Sequence, residues 1–243
     1  MAREASYQAI IIKRQPYGEG DEILTVFTKE AGKLRVLAKA TKMPKSKMRH
    51  ALQTLFLTDL TVTSVSALPK VIGATAVAVF PKLREKLDAV NMAFYASELL
   101  LKFTADEHKN ERLFGLVKDF FSFLDSAPVA NLNAGLAKFK IGFLESVGLG
   151  IHFDASEKNN PEMAFSNARG GFVFGAEASG QRRVNPLSFQ QFLEIKNASF
   201  SQLFTQEPMR DIQELQDLLS NFIVYHLERD IKSEKYLKGR NVV

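Results

Sequence analysis

A chain of 243 residues can hold one large domain or two to three small ones, since single cores usually span roughly 100 to 200 residues. With 46% hydrophobic and 24% charged residues it falls outside the charged, apolar-poor class of disordered chains. The absence of cysteine excludes disulfides, thiolate metal ligands and a cysteine nucleophile, and fits a reducing cytoplasm.

The formal net charge of +5 is unevenly spread: residues 1–80 hold 12 Lys and Arg against 6 Asp and Glu, so the basic excess is entirely N-terminal. The opening MAREASYQAIIIKR has no apolar stretch of signal-peptide length. No window approaches the roughly 18 apolar residues of a membrane span, so a soluble, intracellular protein is expected.

Residues 7–14, YQAIIIKR, form a β-branched run that breaks at QPYGEGD, where Pro16, Gly18 and Gly20 signal a turn. Residues 22–28 and 33–39 are again strand-like, and Gly32 between them suits a tight hairpin. A basic stretch, 40–50, precedes two further strand-like runs at 54–63 and 71–79. Five strands in about 80 residues fit a small OB-type barrel, although periodicity leaves an SH3-like barrel or a sandwich open.

Pro81 suits the first turn of a helix and marks the expected boundary between a domain at 1–80 and a helical domain at 81–243. Leu83, Leu87, Val90, Phe94, Leu99 and Leu100 recur at helical steps, as do Leu113, Leu116, Val117, Phe120, Phe121 and Leu124. A third helix is expected over 132–147, with Leu136, Phe139, Phe143 and Leu144 on one face. The 20 phenylalanines, at these spacings, read as core and not as a base-stacking platform. From 148 to 185 glycines and Pro161 punctuate a loop-rich, irregular insert with short strands near Ala164 and at 171–174. Helices return at 187–196 and 209–230, the latter presenting Leu215, Leu218, Leu219, Phe222, Ile223 and Tyr225.

Motifs for chemistry are scarce. His50, His108, His152 and His226 are scattered with no HExxH pair, and no nucleophile elbow or phosphate-cradling glycine loop is present. Neither a catalytic residue, a bound metal nor a cofactor is expected. The acidic trio Glu19, Asp21 and Glu22 lies among glycines and reads as a solvated turn.

The basic stretch is more telling. Lys33, Arg35, Lys39, Lys42, Lys45, Lys47 and Arg49 fall within positions 33–49 without one acid, the footprint of a polyanion site, although a solvated charged face would look the same. Lys33, Arg35 and Lys39 alternate and so share one strand face. OB barrels place cations on phosphates and rings under bases in such a groove. These seven cations, with Arg14, are the expected nucleic-acid site, and Tyr17 is the one aromatic candidate for stacking. An RNA-binding OB protein is the alternative, because charge and stacking do not choose the sugar.

The segment AIIIKRQPYGEGDEILTVFTKEAGKLRVLAKATKMPKSKMRHALQ resembles the N-terminal signature of the RecO family, bacterial recombination mediators. The likeness extends through LESVGLG at the end of the third helix to HLERDIKSEKYL. It implies an N-terminal OB domain that binds single- and double-stranded DNA, a helical domain that meets partners, and no catalysis. The implied function is annealing of single strands and loading of a recombinase onto DNA coated with single-stranded DNA-binding protein, in the cytoplasm at the nucleoid.

The implied partners are RecR and the acidic, apolar C-terminal tail of single-stranded DNA-binding protein. For that tail, which needs a cation beside an apolar pocket, Lys138, Phe139, Lys140 and Phe143 are the expected site; an ordinary amphipathic helix with snorkelling lysines reads the same. Two departures from the family stand out. Ala40 occupies a position where glycine is usual, so a positive φ there would strain it. The insert also lacks the four-cysteine zinc module that many members of the family carry, so its stability must come from packing of Ile151, Phe153, Phe165, Phe172 and Phe174.

Overall fold

The computed structural model describes residues 4–43, 46, 48–63, 68–154, 162–178 and 181–237. The fold is α+β, a five-stranded N-terminal barrel followed by helices. β1 (Glu4–Tyr17) is long enough to pair with two neighbours: its first half runs against β4 (Leu57–Thr63) and its second against β2 (Asp21–Thr28). β2 turns into β3 (Gly32–Ala38), and β4 pairs with β5 (Lys70–Ala78). A short parallel contact, in which the Leu37 N–H donates to the Pro69 carbonyl at 2.8 Å, closes the barrel in the order β1-β2-β3-β5-β4. The turn into β3 depends on Gly32: its φ is +72°, and a Cβ there would lie 2.0 Å from the His108 carbonyl oxygen.

Strand alternation fills the barrel with Ala9, Ile11, Leu24, Val26, Val36, Ala38, Leu60 and Val62. β1 is longer than its apolar run because the turn begins after Tyr17, with Pro16 still in register opposite Glu22. β4 starts at Leu57 and not at 54. The preceding residues instead form turns that bury Ala51, Leu52, Leu55 and Phe56, and Leu52 joins the barrel core.

The described residues divide into two compact units: those up to Asp125 together with those from Ser233 onward, and those from Ser126 to Lys232. The first unit contains the barrel, α1 (Pro81–Glu85), α2 (Leu87–Phe103), most of α3 (Glu111–Ser126) and α8 (Glu234–Leu237). The helix expected from 83 breaks at Lys86, whose extended backbone ends α1. Leu87 and Phe94, expected on the core face of α2, are exposed; the buried face runs through Ala89, Met92, Ala93, Ala96, Leu99 and Leu100. Ala89, Ala93 and Ala96 make up half of that face, and their small side chains let the helix pack closely. The Ser233 N–H and hydroxyl both donate to Glu98 on α2, which ties the C-terminal segment to this unit.

In the second unit α4 (Leu132–Ser146) is buried along most of its length. Around it are α5 (Pro186–Asn197), α6 (Phe200–Thr205) and α7 (Gln213–Leu227). α5 is capped by Asn185 and α6 by a Ser199–Gln202 capping box. Tyr225 of α7, expected in the core, is exposed. The insert is more regular than expected: β6 (Met163–Ser166), β7 (Gly171–Phe174) and β8 (Arg182–Arg183) make a three-stranded antiparallel sheet. Its apolar side is aromatic, with Phe172 4.7 Å from Phe189 and 5.1 Å from Phe165, and Phe153 5.6 Å from Phe189 by ring centroids. Ring packing thus supplies the apolar burial a small sheet needs. Among the described residues no group of three or more His, Cys, Asp or Glu is placed to hold a metal ion, and no helix is long and apolar enough to cross a membrane.

Candidate nucleic-acid interface

The outer face of β1-β2-β3 follows from the register. Three rows cross it: Ile10 opposite Phe27 opposite Lys33, Lys13 opposite Thr25 opposite Arg35, and Gln15 opposite Ile23 opposite Leu37. Beyond them Tyr17 pairs with Asp21, and Lys39 follows the end of β3. A register shift between Ile11 and Lys13 makes this possible. Strict alternation from the inward Ile11 would send Lys13 into the barrel. The extra residue turns it outward instead.

The two ends of this face differ. At one end Phe27 packs on Phe114 of α3 with ring centroids 6.3 Å apart, and Ile10 and Lys33 are buried beside it. The Lys33 ammonium donates to the carbonyls of Leu101 and Thr104 and pairs with Asp106 at 3.3 Å. It therefore neutralises the last carbonyls of α2, where a helix has no internal donors left. At the other end Lys13, Gln15, Tyr17, Arg35 and Lys39 are all exposed. Lys33 and Arg35 share a face as expected, but Lys33 is taken by the fold and Arg35 faces solvent.

The arm that follows β3 is anchored at both ends. On entry, Ala40 adopts φ 54°, the left-handed conformation that glycine takes without strain. Its N–H donates to Asp21 Oδ1 at 2.8 Å, and the hydroxyl of the buried Thr41 donates to Glu22 Oε2 at 2.8 Å. Near the exit, Leu52 enters the barrel core and Met48 packs against it. Lys42 and Arg49 are exposed between these anchors; Lys45 and Lys47 lie outside the described residues.

Arg14 belongs to the anchor and not to the exposed cations. Its guanidinium donates to Glu22 Oε2 and Gln53 Oε1, both at 2.7 Å, and so joins β1, β2 and the arm's exit. Burial pushes the Glu22 carboxyl up, but the hydrogen bonds from Arg14 and Thr41 and the charges of Arg14 and Lys42 outweigh it, and the net pKa is lowered. The expected solvated acidic turn is thus corrected at Glu22, which is buried and structural because a cation and a hydroxyl satisfy it.

Lys13 was missed in the sequence. The signal was present, since a lysine at an inward parity of a small barrel requires a bulge.

The α4 residues do not form a surface pocket. Phe139 and Phe143 are fully buried, and Lys140 is only 1% exposed, donating to Gln216 Oε1 and Ser220 Oγ at 2.8 Å. Lys138 reaches the Lys196 carbonyl at 2.8 Å and is half-buried. These side chains serve the interior of the second unit. Helical spacing marked an apolar face correctly, and the lysine on it is satisfied internally instead of snorkelling.

Two family models divide the chain between them. Recombination protein O N terminal matches residues 1–80, and Recombination protein O C terminal matches residues 84–235. The chain belongs to the RecO family. Its barrel is the OB-fold domain of that family.

Among curated relatives, the DNA repair protein RecO of Pelotomaculum thermopropionicum is 27% identical over 237 residues, covering 94% of this chain and 91% of the relative. That of Desulforamulus reducens is also 27% identical, over 240 residues, covering 94% and 92%. The RecO of Dehalococcoides mccartyi is 30% identical over 141 residues, 58% of this chain and 55% of the relative. DNA repair and recombination are therefore the setting in which the exposed barrel face is to be understood.

Proposed function

We propose that this RecO-family protein is a recombination mediator that binds single- and double-stranded DNA, anneals single strands, and helps load a recombinase onto DNA coated with single-stranded DNA-binding protein. The observation that carries the reading is the open end of the OB barrel, where Lys13, Arg35 and Lys39 stand on one exposed face beside an anchored arm bearing Lys42 and Arg49. Cations spaced along a strand face neutralise successive phosphates, and a polar arm held at both ends presents its charges at little further entropic cost. Lys45 and Lys47, which lie outside the described residues, add two further cations to the arm by sequence.

The chemistry is charge neutralisation without bond making or breaking. DNA, and not RNA, is the favoured ligand because the relatives above are DNA repair proteins. The protein works in the cytoplasm at the nucleoid, with RecR and the acidic tail of single-stranded DNA-binding protein as partners. The tail's contact falls outside the Phe139 and Phe143 face, which is interior.

Annealing of complementary strands coated with single-stranded DNA-binding protein tests this directly. The protein is expected to accelerate duplex formation and to leave labelled DNA intact in Mg²⁺ or Mn²⁺. No acceleration, or cleavage, would overturn the reading.

A further inference from the structure

The tip of the β1-β2 hairpin and the start of the basic arm form one stitched rim. The Lys42 N–H donates to the Gly20 carbonyl at 3.1 Å, and its ammonium reaches the Gly18 carbonyl at 3.4 Å. With the Ala40 to Asp21 and Thr41 to Glu22 bonds, four hydrogen bonds fix the arm to the hairpin. Met43 leans on this tip: a Cβ on Gly20 would lie 4.0 Å from its Cγ.

Two large apolar side chains on this rim remain in solvent, Tyr17 at 53% and Met43 at 57% exposure. Single exposed apolar residues are ordinary. These two coincide with a fixed backbone, with the exposed cations Lys39 and Lys42, and with the open end of the sheet face. Cations alone attract single and double strands alike, because both present phosphates. A ring or a thioether engages a base face, which only an unpaired, unstacked base offers.

We propose that Tyr17 and Met43 form a base-contacting clamp for an unstacked DNA base and give the cationic face its preference for single strands. The inference rests on the DNA-binding reading above and adds strand discrimination to it.

The test compares Tyr17→Ala, Met43→Ala and Tyr17→Phe in the full chain, using a single-stranded oligonucleotide and the matched duplex at several salt concentrations. Tyr17→Ala is expected to weaken single-strand binding about tenfold, while Tyr17→Phe retains it because the ring remains. Met43→Ala should lose less, duplex affinity should stay within about twofold, and the salt slope should not change because no charge is removed. Thermal unfolding should be unaltered, since both side chains are exposed.

Equal losses on single and double strands would overturn the clamp. So would an unchanged single-strand affinity while a Lys13→Ala, Arg35→Ala, Lys39→Ala triple variant still binds weakly. If that triple variant also bound like the parent, the DNA face itself would be misplaced and the clamp would fall with it.

Discussion

Lys33 and Arg35 stand two residues apart on one face of β3, yet one is sealed against the end of α2 and the other faces solvent. The same contrast recurs in the second unit, where Lys140, on a helix with an equally suggestive sequence, is enclosed by Gln216 and Ser220. Charge in a sequence therefore marks a place where a cation is needed, and only packing tells whether the need is internal. Orphan helix carbonyls or buried side-chain oxygens can demand a lysine as firmly as a phosphate does.

The sharpest way to break this comparison is to remove the most buried cation. Lys140→Ala is expected to destabilise the protein by about 2–4 kcal/mol, because it leaves Gln216 Oε1 and Ser220 Oγ without their donor and opens a cavity. Denaturant titration measures this. A loss within about 0.5 kcal/mol would mean that the ammonium is dispensable to the interior, as a surface lysine would be.

A smaller effect concerns the anchor of the arm. The folded pKa of Glu22 is depressed, so its contribution to stability is present above the unfolded value and is lost as pH falls through the folded one. Glu22→Gln should remove part of the stability lost on acidification below the ordinary carboxylate pKa of about 4.3. It should also loosen the arm, because the amide is a weaker acceptor for Arg14. An identical acid profile in the variant would show that the Arg14–Glu22 pair does not hold in solution.

The barrel was legible in the sequence because its strands are apolar runs rich in β-branched residues and the first two turns carry Gly18, Gly20 and Gly32. The arm's exit was less so: Leu55 falls in the strand expected from 54 but sits buried in a turn at φ 69°, and Leu52 just before it joins the barrel core. The insert looked irregular because its strands are four and two residues long, too short for a period to emerge. Of the candidate site, Arg35 and Lys39 could be placed from alternation alone. Lys13 was hidden by a bulge, and the internal roles of Lys33 and Arg14 depend on partners 68 and 39 residues away, which no local pattern reports.

The central claim, that the open end of the barrel face binds DNA while its covered end serves the fold, is tested most directly by the salt dependence of single-strand affinity. Replacing Lys13, Arg35 and Lys39 with alanine together should make the slope of log K against log salt shallower by roughly 2, about 0.7 per cation, with each change costing within about 0.5 kcal/mol of stability. Lys33→Ala should lower the unfolding midpoint and leave that slope unaltered. An unaltered slope in the triple variant, or a slope that falls on removing Lys33, would contradict the account.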